Sequence, residues 1–121
     1  MINCYSSIRE LRAALDKREV SSTELTKMYL QRLKTLGAEY NAVAELTEEH
    51  ALEQALQADR QLMARRSLGM NGKGSLLVGI PFGAKDLYAT KGIPTRWGSP
   101  GHADQIFDYD APSKSLSRSW C

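Results

Sequence analysis

One lysine stands out in this sequence because of the residues around it. Lys85 follows residues 76–84, a segment built only of apolar residues and glycine. A charged ammonium group is costly in a low-dielectric interior, and burial lowers the pKa of a lysine until it can accept a proton. A lysine of that kind can act as a general base. If the apolar segment ends at Ala84, Lys85 is an ordinary solvated side chain, and the residues alone leave both interpretations open.

The pattern of residues 76–88 predicts how this lysine would be held. Both alternating faces are apolar as far as Ala84, which is typical of a strand that helices cover on both sides. Gly79 and Pro81 predict that the strand is irregular, and small residues let other backbone segments approach closely. Asp86 would point to the opposite face of such a strand, so it is not the obvious ion-pair partner of Lys85.

Composition gives little support to other chemistries. The chain has 121 residues, 42% of them hydrophobic, and a formal net charge of +2, which argues against direct binding to nucleic acid or to an anionic membrane. Two cysteines and two histidines are spaced too widely for a zinc site or a disulfide framework, so no metal is expected. No apolar run approaches the ~20 residues of a membrane span, and no signal peptide is visible. The expected location is the reducing cytoplasm.

The first 65 residues predict helices that would carry the core. Capping boxes mark two helix starts, Ser7 with Glu10 and Ser21 with Glu24, and Thr47 could cap a third helix. Gly37 occupies a typical C-cap position. Apolar residues at helical spacing are expected to face the core, and they are Ile8, Leu11, Leu15, Leu25, Met28, Tyr29, Leu33, Leu36, Ala51, Leu52, Ala55, Leu56, Leu62 and Met63. Residues 65–75 predict a glycine-rich connector, and residues 89–110 predict loops.

Several segments in order resemble the amidase-signature family. The stretch Gly79-Ile80-Pro81-Phe82-Gly83-Ala84-Lys85-Asp86 closely resembles the motif around that family's catalytic lysine. The resemblance continues through residues 91–95, 98–99 and 108–111. Upstream it includes residues 20–25, 29–30, 32–33 and 41–42, together with Ala55, Ala58 and Asp59. It covers about residues 7 to 111 of the chain.

The resemblance implies both a fold and a reaction. The fold would be α/β, to which this chain supplies the N-terminal helices and the first strand of a mixed sheet. The reaction is amide hydrolysis through a serine–cis-serine–lysine triad, in which Lys85 is the base and the sole catalytic residue that we assign. The family implies no metal or organic cofactor. Its implied partners are a small-molecule amide substrate and either a second copy of the chain or the other subunits of an amidotransferase.

Only one of the three triad positions is found in the sequence. The glycine- and serine-rich run that carries the family's two serines and its oxyanion loop has no counterpart here. We therefore expect 1–111 to be the N-terminal part of an amidase-signature domain that is inactive by itself. Residues 112–121 have serine at every second position from 113 to 119 and predict a disordered tail. A frameshift near residue 112 is one hypothesis for this tail, and a natural truncation or a sequencing error is the alternative.

Three functions remain open on these grounds. A general stand-alone amidase is the function we favour from the sequence. The amidase subunit of a glutamyl- or aspartyl-tRNA amidotransferase is the first alternative. The second is a non-catalytic interaction fragment, since three amphipathic helices and an unpaired strand could dock on another chain.

Overall fold

The part of the chain that the structure describes folds as three α-helices followed by a long irregular segment. The computed structural model describes residues 1–70 and 75–112. Helix α1 spans Ile8–Lys17, α2 spans Ser22–Arg32 and continues into a π-helical turn at Leu33–Gly37, and α3 spans Glu48–Ser67. A short 3-10 turn follows at Pro100–His102. Part of the predicted connector, residues 71–74, and all but the first residue of the predicted tail, residues 113–121, lie outside the described residues. No helix in the described part is long and apolar enough to span a bilayer.

Both predicted capping boxes are confirmed. The Glu10 backbone N–H donates to Ser7 Oγ over 3.3 Å, and the Ser7 N–H donates to Glu10 Oε2 over 2.7 Å. Ser21 and Glu24 repeat the arrangement at the start of α2, with distances of 3.1 and 2.8 Å. Each box satisfies helix N–H groups that have no partner within the helix. Helix α3 begins after Thr47 as predicted, but the Thr47 side chain makes no capping hydrogen bond.

The two capping glutamates should make stability depend on pH in acid. Hydrogen bonds from the backbone and then from the side chain of Ser7 lower the pKa of Glu10, and Ser21 lowers the pKa of Glu24 in the same way. Because each pKa is depressed on folding, the stabilisation is present above the unfolded-state pKa and is lost as pH falls through the folded-state pKa. We expect the Glu10→Gln/Glu24→Gln variant to lose less stability on acidification than the wild type. Urea unfolding at a series of pH values checks this.

The matched control for that experiment is Glu39→Gln/Glu53→Gln, which changes two exposed glutamates outside the capping boxes. Its pH profile should run parallel to that of the wild type. If the capping variant also ran parallel, the two caps would have no role in acid sensitivity.

A carboxylate of α3 holds the start of α2. Asp59 Oδ1 accepts from the Ser22 N–H over 2.7 Å, and Oδ2 accepts from the Thr23 N–H over 3.1 Å and from Thr23 Oγ1 over 2.7 Å. A helix N-terminus carries unpaired N–H groups and a partial positive charge, so an anion is favoured there. This contact fixes the position of α2 on α3, the most extensively packed pair of helices.

Removing this carboxylate should weaken the helical part of the chain. Asp59→Ala deletes three hydrogen bonds at a partly buried site, and we expect it to lower the free energy of unfolding by about 1–3 kcal/mol. Glu53→Ala, at an exposed position of the same helix, should change it by less than about 0.5 kcal/mol. Urea denaturation followed by circular dichroism measures both. Equal effects of the two variants would contradict the assignment.

Gly37 does not end its helix, contrary to the sequence prediction. Helical backbone continues to Glu39, and the turn is closed at Asn41, whose φ is 49°. The Asn41 N–H donates to the Ala38 carbonyl over 3.2 Å, and the Ala42 N–H donates to the Gly37 carbonyl over 2.9 Å, which is a Schellman motif. Gly37 instead provides space, because a Cβ there would lie 2.8 Å from Cγ2 of Val43 in the returning chain.

The core lies where the three helices meet the segment that follows them. Its buried members are Leu11, Leu15, Leu25, Ala58, Leu62 and Val78. Four residues that we expected to face inward are exposed, and they are Ile8, Leu33, Leu56 and Met63. Each helix has a single buried face, so the predicted apolar stripes were wider than the faces that have a neighbour.

The predicted strand over residues 76–84 is not formed, and the described residues contain no strand. In the described ranges only two isolated bridges occur, Thr90 with Ile93 and Pro94 with Ile106. A lone strand would leave its backbone N–H and C=O groups unpaired, and the described residues supply no neighbouring strand. The segment turns instead: the Ile80 N–H donates to the Leu77 carbonyl over 3.1 Å, with Gly79 at a φ of 83°. The described part is thus helical with irregular loops, and the sheet of the predicted α/β fold is not seen.

Candidate functional site

Lys85 lies on the surface of this chain. Its side chain is exposed, as are Gly83 and Ala84 before it. The backbone turns at this point, since the Tyr88 N–H donates to the Lys85 carbonyl over 3.0 Å. Within the described residues, the lysine amine has no ion pair or hydrogen bond. The shielding from water that the apolar pattern predicted is therefore absent here, because no second layer covers the segment.

Asp86 makes the contacts that connect this turn to the rest of the structure. Its Oδ1 accepts from the Arg96 N–H over 2.9 Å, and its Oδ2 accepts from the Gly98 N–H over 3.4 Å. The sequence argument placed Asp86 and Lys85 on opposite faces of a strand, and that strand is not formed in the described residues. The same argument assigned Asp86 no role, because its hydrogen-bond partners are backbone groups 10 and 12 residues further along the chain, which a local sequence pattern does not reveal.

Residues 89–111 form an irregular, self-closed loop. The Gly92 N–H donates to the Phe107 carbonyl over 2.9 Å, and the Thr95 N–H donates to the Gln105 carbonyl over 2.9 Å. The Ala111 N–H donates to the Ala89 carbonyl over 2.8 Å. The Asp110 carboxylate accepts from the Lys91 N–H over 2.8 Å. The segment containing Asp110 and Ala111 thus returns beside the residues that follow the lysine turn.

Arg96 links this loop to the connection between α2 and α3. Its Nη1 donates to the Ala44 carbonyl over 3.0 Å and to Glu45 Oε2 over 2.8 Å, while Nε donates to the Ala103 carbonyl over 3.2 Å. The guanidinium thereby joins segments more than 50 residues apart in sequence. Its rigid, planar set of donors suits arginine for such a junction.

A row of aromatic rings lies on the same loop. The ring centroids of Trp97 and His102 are 4.9 Å apart, those of Trp97 and Phe107 are 6.1 Å apart, and those of Phe107 and Tyr109 are 5.2 Å apart. Trp97 and Tyr109 are exposed. The other large apolar side chains exposed within residues 75–112 are Leu76, Phe82, Leu87, Tyr88 and Ile106. No group of three His, Cys, Asp or Glu side chains in the described ranges is placed to hold a metal ion.

The exposed amine of Lys85 should react like any other surface lysine. We expect acetic anhydride at limiting concentration to acetylate Lys85 to the same extent as Lys27, an exposed lysine of α2. Peptide mapping by mass spectrometry measures both sites in one sample. Strong protection of Lys85 in the native chain, lost in urea, would show that the amine is covered in solution and would contradict the exposed position.

Comparison with known proteins defines the class. Residues 24–115, which include Lys85 and its motif, match the family model described as amidase. Because this match spans more than half of the chain, the chain belongs to the amidase family.

Three similar relatives are named as the A subunit of glutamyl-tRNA(Gln) amidotransferase. The chain is 40% identical over 116 residues to the protein of that name from Aromatoleum aromaticum, and the match covers 96% of this chain and 22% of the relative. It is 42% identical over 106 residues to the Francisella philomiragia protein, covering 88% and 21%. The corresponding protein of Saccharophagus degradans is 39% identical over 105 residues, covering 87% and 20%. The chain thus spans about a fifth of the length of these curated relatives.

Proposed function

We propose that this chain supplies the N-terminal part of an amidase-type hydrolase, in which Lys85 is the base of a serine–serine–lysine triad. The observation that carries the proposal is the motif Gly79-Ile80-Pro81-Phe82-Gly83-Ala84-Lys85-Asp86, placed inside a family match of residues 24–115. No other lysine of the chain follows an uninterrupted apolar segment of this length.

The proposed chemistry needs residues beyond these 121. Lys85 would take a proton from a bridging serine, which activates a nucleophilic serine for attack on the amide carbonyl. Ammonia or an amine then leaves, and water cleaves the acyl-enzyme. A lysine in water keeps its proton at neutral pH. General-base chemistry at Lys85 therefore requires that other parts of the complete enzyme exclude water from its amine.

We infer that the complete enzyme is one component of an amidotransferase rather than the stand-alone amidase that the sequence favoured. The support is the name shared by the three relatives, the A subunit of glutamyl-tRNA(Gln) amidotransferase, at 39–42% identity over most of this chain. In that role it would act together with other polypeptides of the same enzyme. A stand-alone amidase remains the second candidate, because the family match itself concerns only the amidase class.

By itself the 121-residue chain should not turn over amides, because it has neither the serine nucleophile nor the oxyanion loop of the proposed mechanism. The measurement is ammonia release from glutamine and from simple aliphatic amides by the purified chain. Turnover above the buffer blank that disappears in Lys85→Ala would contradict this prediction. It would show that the 121-residue chain is active and that its chemistry does not require the part of the enzyme that carries the two serines.

A graft tests the role of Lys85 directly. Residues 7–111 would replace the matching segment of the Francisella philomiragia relative, and amide hydrolysis would be compared for the graft with Lys85, with Lys85→Met and with Lys91→Met as the control. Loss of one member of a catalytic triad costs several orders of magnitude in turnover, so we expect Lys85→Met to lose at least about 10³-fold. Lys91→Met changes an exposed lysine and should retain activity.

Two results of the graft experiment would count against the proposal. Full turnover by Lys85→Met would remove Lys85 from the triad. A loss of turnover in Lys91→Met as large as that in Lys85→Met would show that the effect is not specific to the proposed base.

A further inference from the structure

The carboxylate of Asp86 accepts from two backbone N–H groups that belong to one short loop. Each of its oxygens has one partner, Arg96 N at 2.9 Å and Gly98 N at 3.4 Å. The side chain is partly buried at this contact, unlike the exposed Lys85 beside it. Hydrogen bonds to an ionised acceptor are stronger than those between neutral groups. The carboxylate therefore anchors residues 96–98 to the turn that carries the lysine.

The loop that Asp86 holds has an unfavourable backbone. Trp97 has a φ of 53°, and Gly98 follows with a φ of 67°. A bulky residue in the left-handed region is sterically unfavourable and persists only where its surroundings enforce it. Asp86 holds the N–H groups on both sides of the Trp97 side chain, and so supplies that enforcement.

The same loop is tied to the helical half of the chain through Arg96. Its backbone donates to Asp86, while its guanidinium donates to the Ala44 carbonyl and to Glu45. Hydrogen bonds thus run from the connection between α2 and α3, through Arg96, to Asp86 and the lysine turn. Residues 83–85 themselves are exposed, so this path gives the turn a second attachment to the helices, in addition to the buried Val78 seven residues before Lys85.

We propose that Asp86 is a positioning residue for Lys85. Its carboxylate accepts hydrogen bonds from the N–H groups of Arg96 and Gly98 and so fixes the turn from which the lysine extends. The inference rests on the proposed role of Lys85 as the base. It assigns a function to a residue that would otherwise be only the neighbour of the reacting group. A base must be held in a near-attack geometry, and a displacement of about 1 Å can cost 10²-fold in rate.

The test uses the 121-residue chain itself, so it does not depend on catalysis. Nuclear magnetic resonance would measure amide hydrogen exchange at Arg96 and Gly98 and the backbone order parameter of Lys85. The samples are the wild type, Asp86→Asn, Asp86→Ala and the control Asp104→Asn, which changes an exposed aspartate of the same loop. Amides of Leu15 and Leu25 in the core report whether the fold is intact.

We expect Asp86→Ala to reduce the protection of the Arg96 and Gly98 amides by at least about tenfold, since it removes bonds to a charged acceptor. The order parameter of Lys85 should fall from the rigid value of about 0.85 towards about 0.6, while the core amides keep their protection. Asp86→Asn retains one acceptor oxygen and should fall between the wild type and Asp86→Ala. Asp104→Asn should match the wild type.

Two outcomes would overturn the proposal. Unchanged amide protection at Arg96 and Gly98 in both Asp86 variants would show that the two hydrogen bonds to the Asp86 carboxylate are not formed in solution. If the Arg96 and Gly98 amides lost protection while the order parameter of Lys85 stayed unchanged, Asp86 would stabilise residues 96–98 without positioning the lysine. Should Asp86→Ala fail to fold, the same two comparisons apply to Asp86→Asn. A failure of Lys85→Met to affect the graft would remove the proposed base and with it the catalytic purpose of the positioning, whereas the resonance measurements would still report whether Asp86 fixes the turn.

Discussion

The arrangement of this chain depends on the burial of one valine after the last long helix. Val78 is completely buried, and it packs in the cluster that contains Leu15, Leu25 and Leu62 from the three helices. Its carbonyl accepts from Nη1 of Arg12 over 2.8 Å, so the backbone is held as well as the side chain. Full burial of a valine is worth about 1.5–3 kcal/mol. Because three helices contribute to its pocket, this single contact sets where everything after residue 78 begins.

Local signals in the sequence correctly predicted the start of each helix. Signals whose meaning depends on distant partners led to wrong predictions for residues 76–84 and for Gly37. The serine–glutamate pairs at Ser7 and Ser21 involve residues three positions apart, so they act in any tertiary context. An apolar run such as residues 76–84 suits either a covered strand or a segment folded onto helices, and only its neighbours decide between the two. Gly37 was misjudged for the same reason, since the Val43 side chain that requires a glycine there comes from the returning loop.

The candidate site shows the same division. The motif that marks Lys85 could be recognised from its residues, and the family match contains it. The surroundings of the lysine could not, because they come from residues 96–98 and from the connection between α2 and α3. The glycine at position 98 was a usable signal, because glycine is the residue that adopts positive φ in turns at no steric cost. Nothing local indicated that a carboxylate 12 residues earlier would stabilise it.

The exposed apolar side chains of the second half have a consequence for the fate of this polypeptide in a cell. Phe82, Leu87 and Tyr88 lie uncovered within seven consecutive residues, beside backbone that forms no ladder. Sequences of this kind are what holdase chaperones bind and what housekeeping proteases cleave. Unless a complementary polypeptide covers these side chains soon after synthesis, we expect rapid turnover of the chain, so that its abundance would report how much of that partner is present.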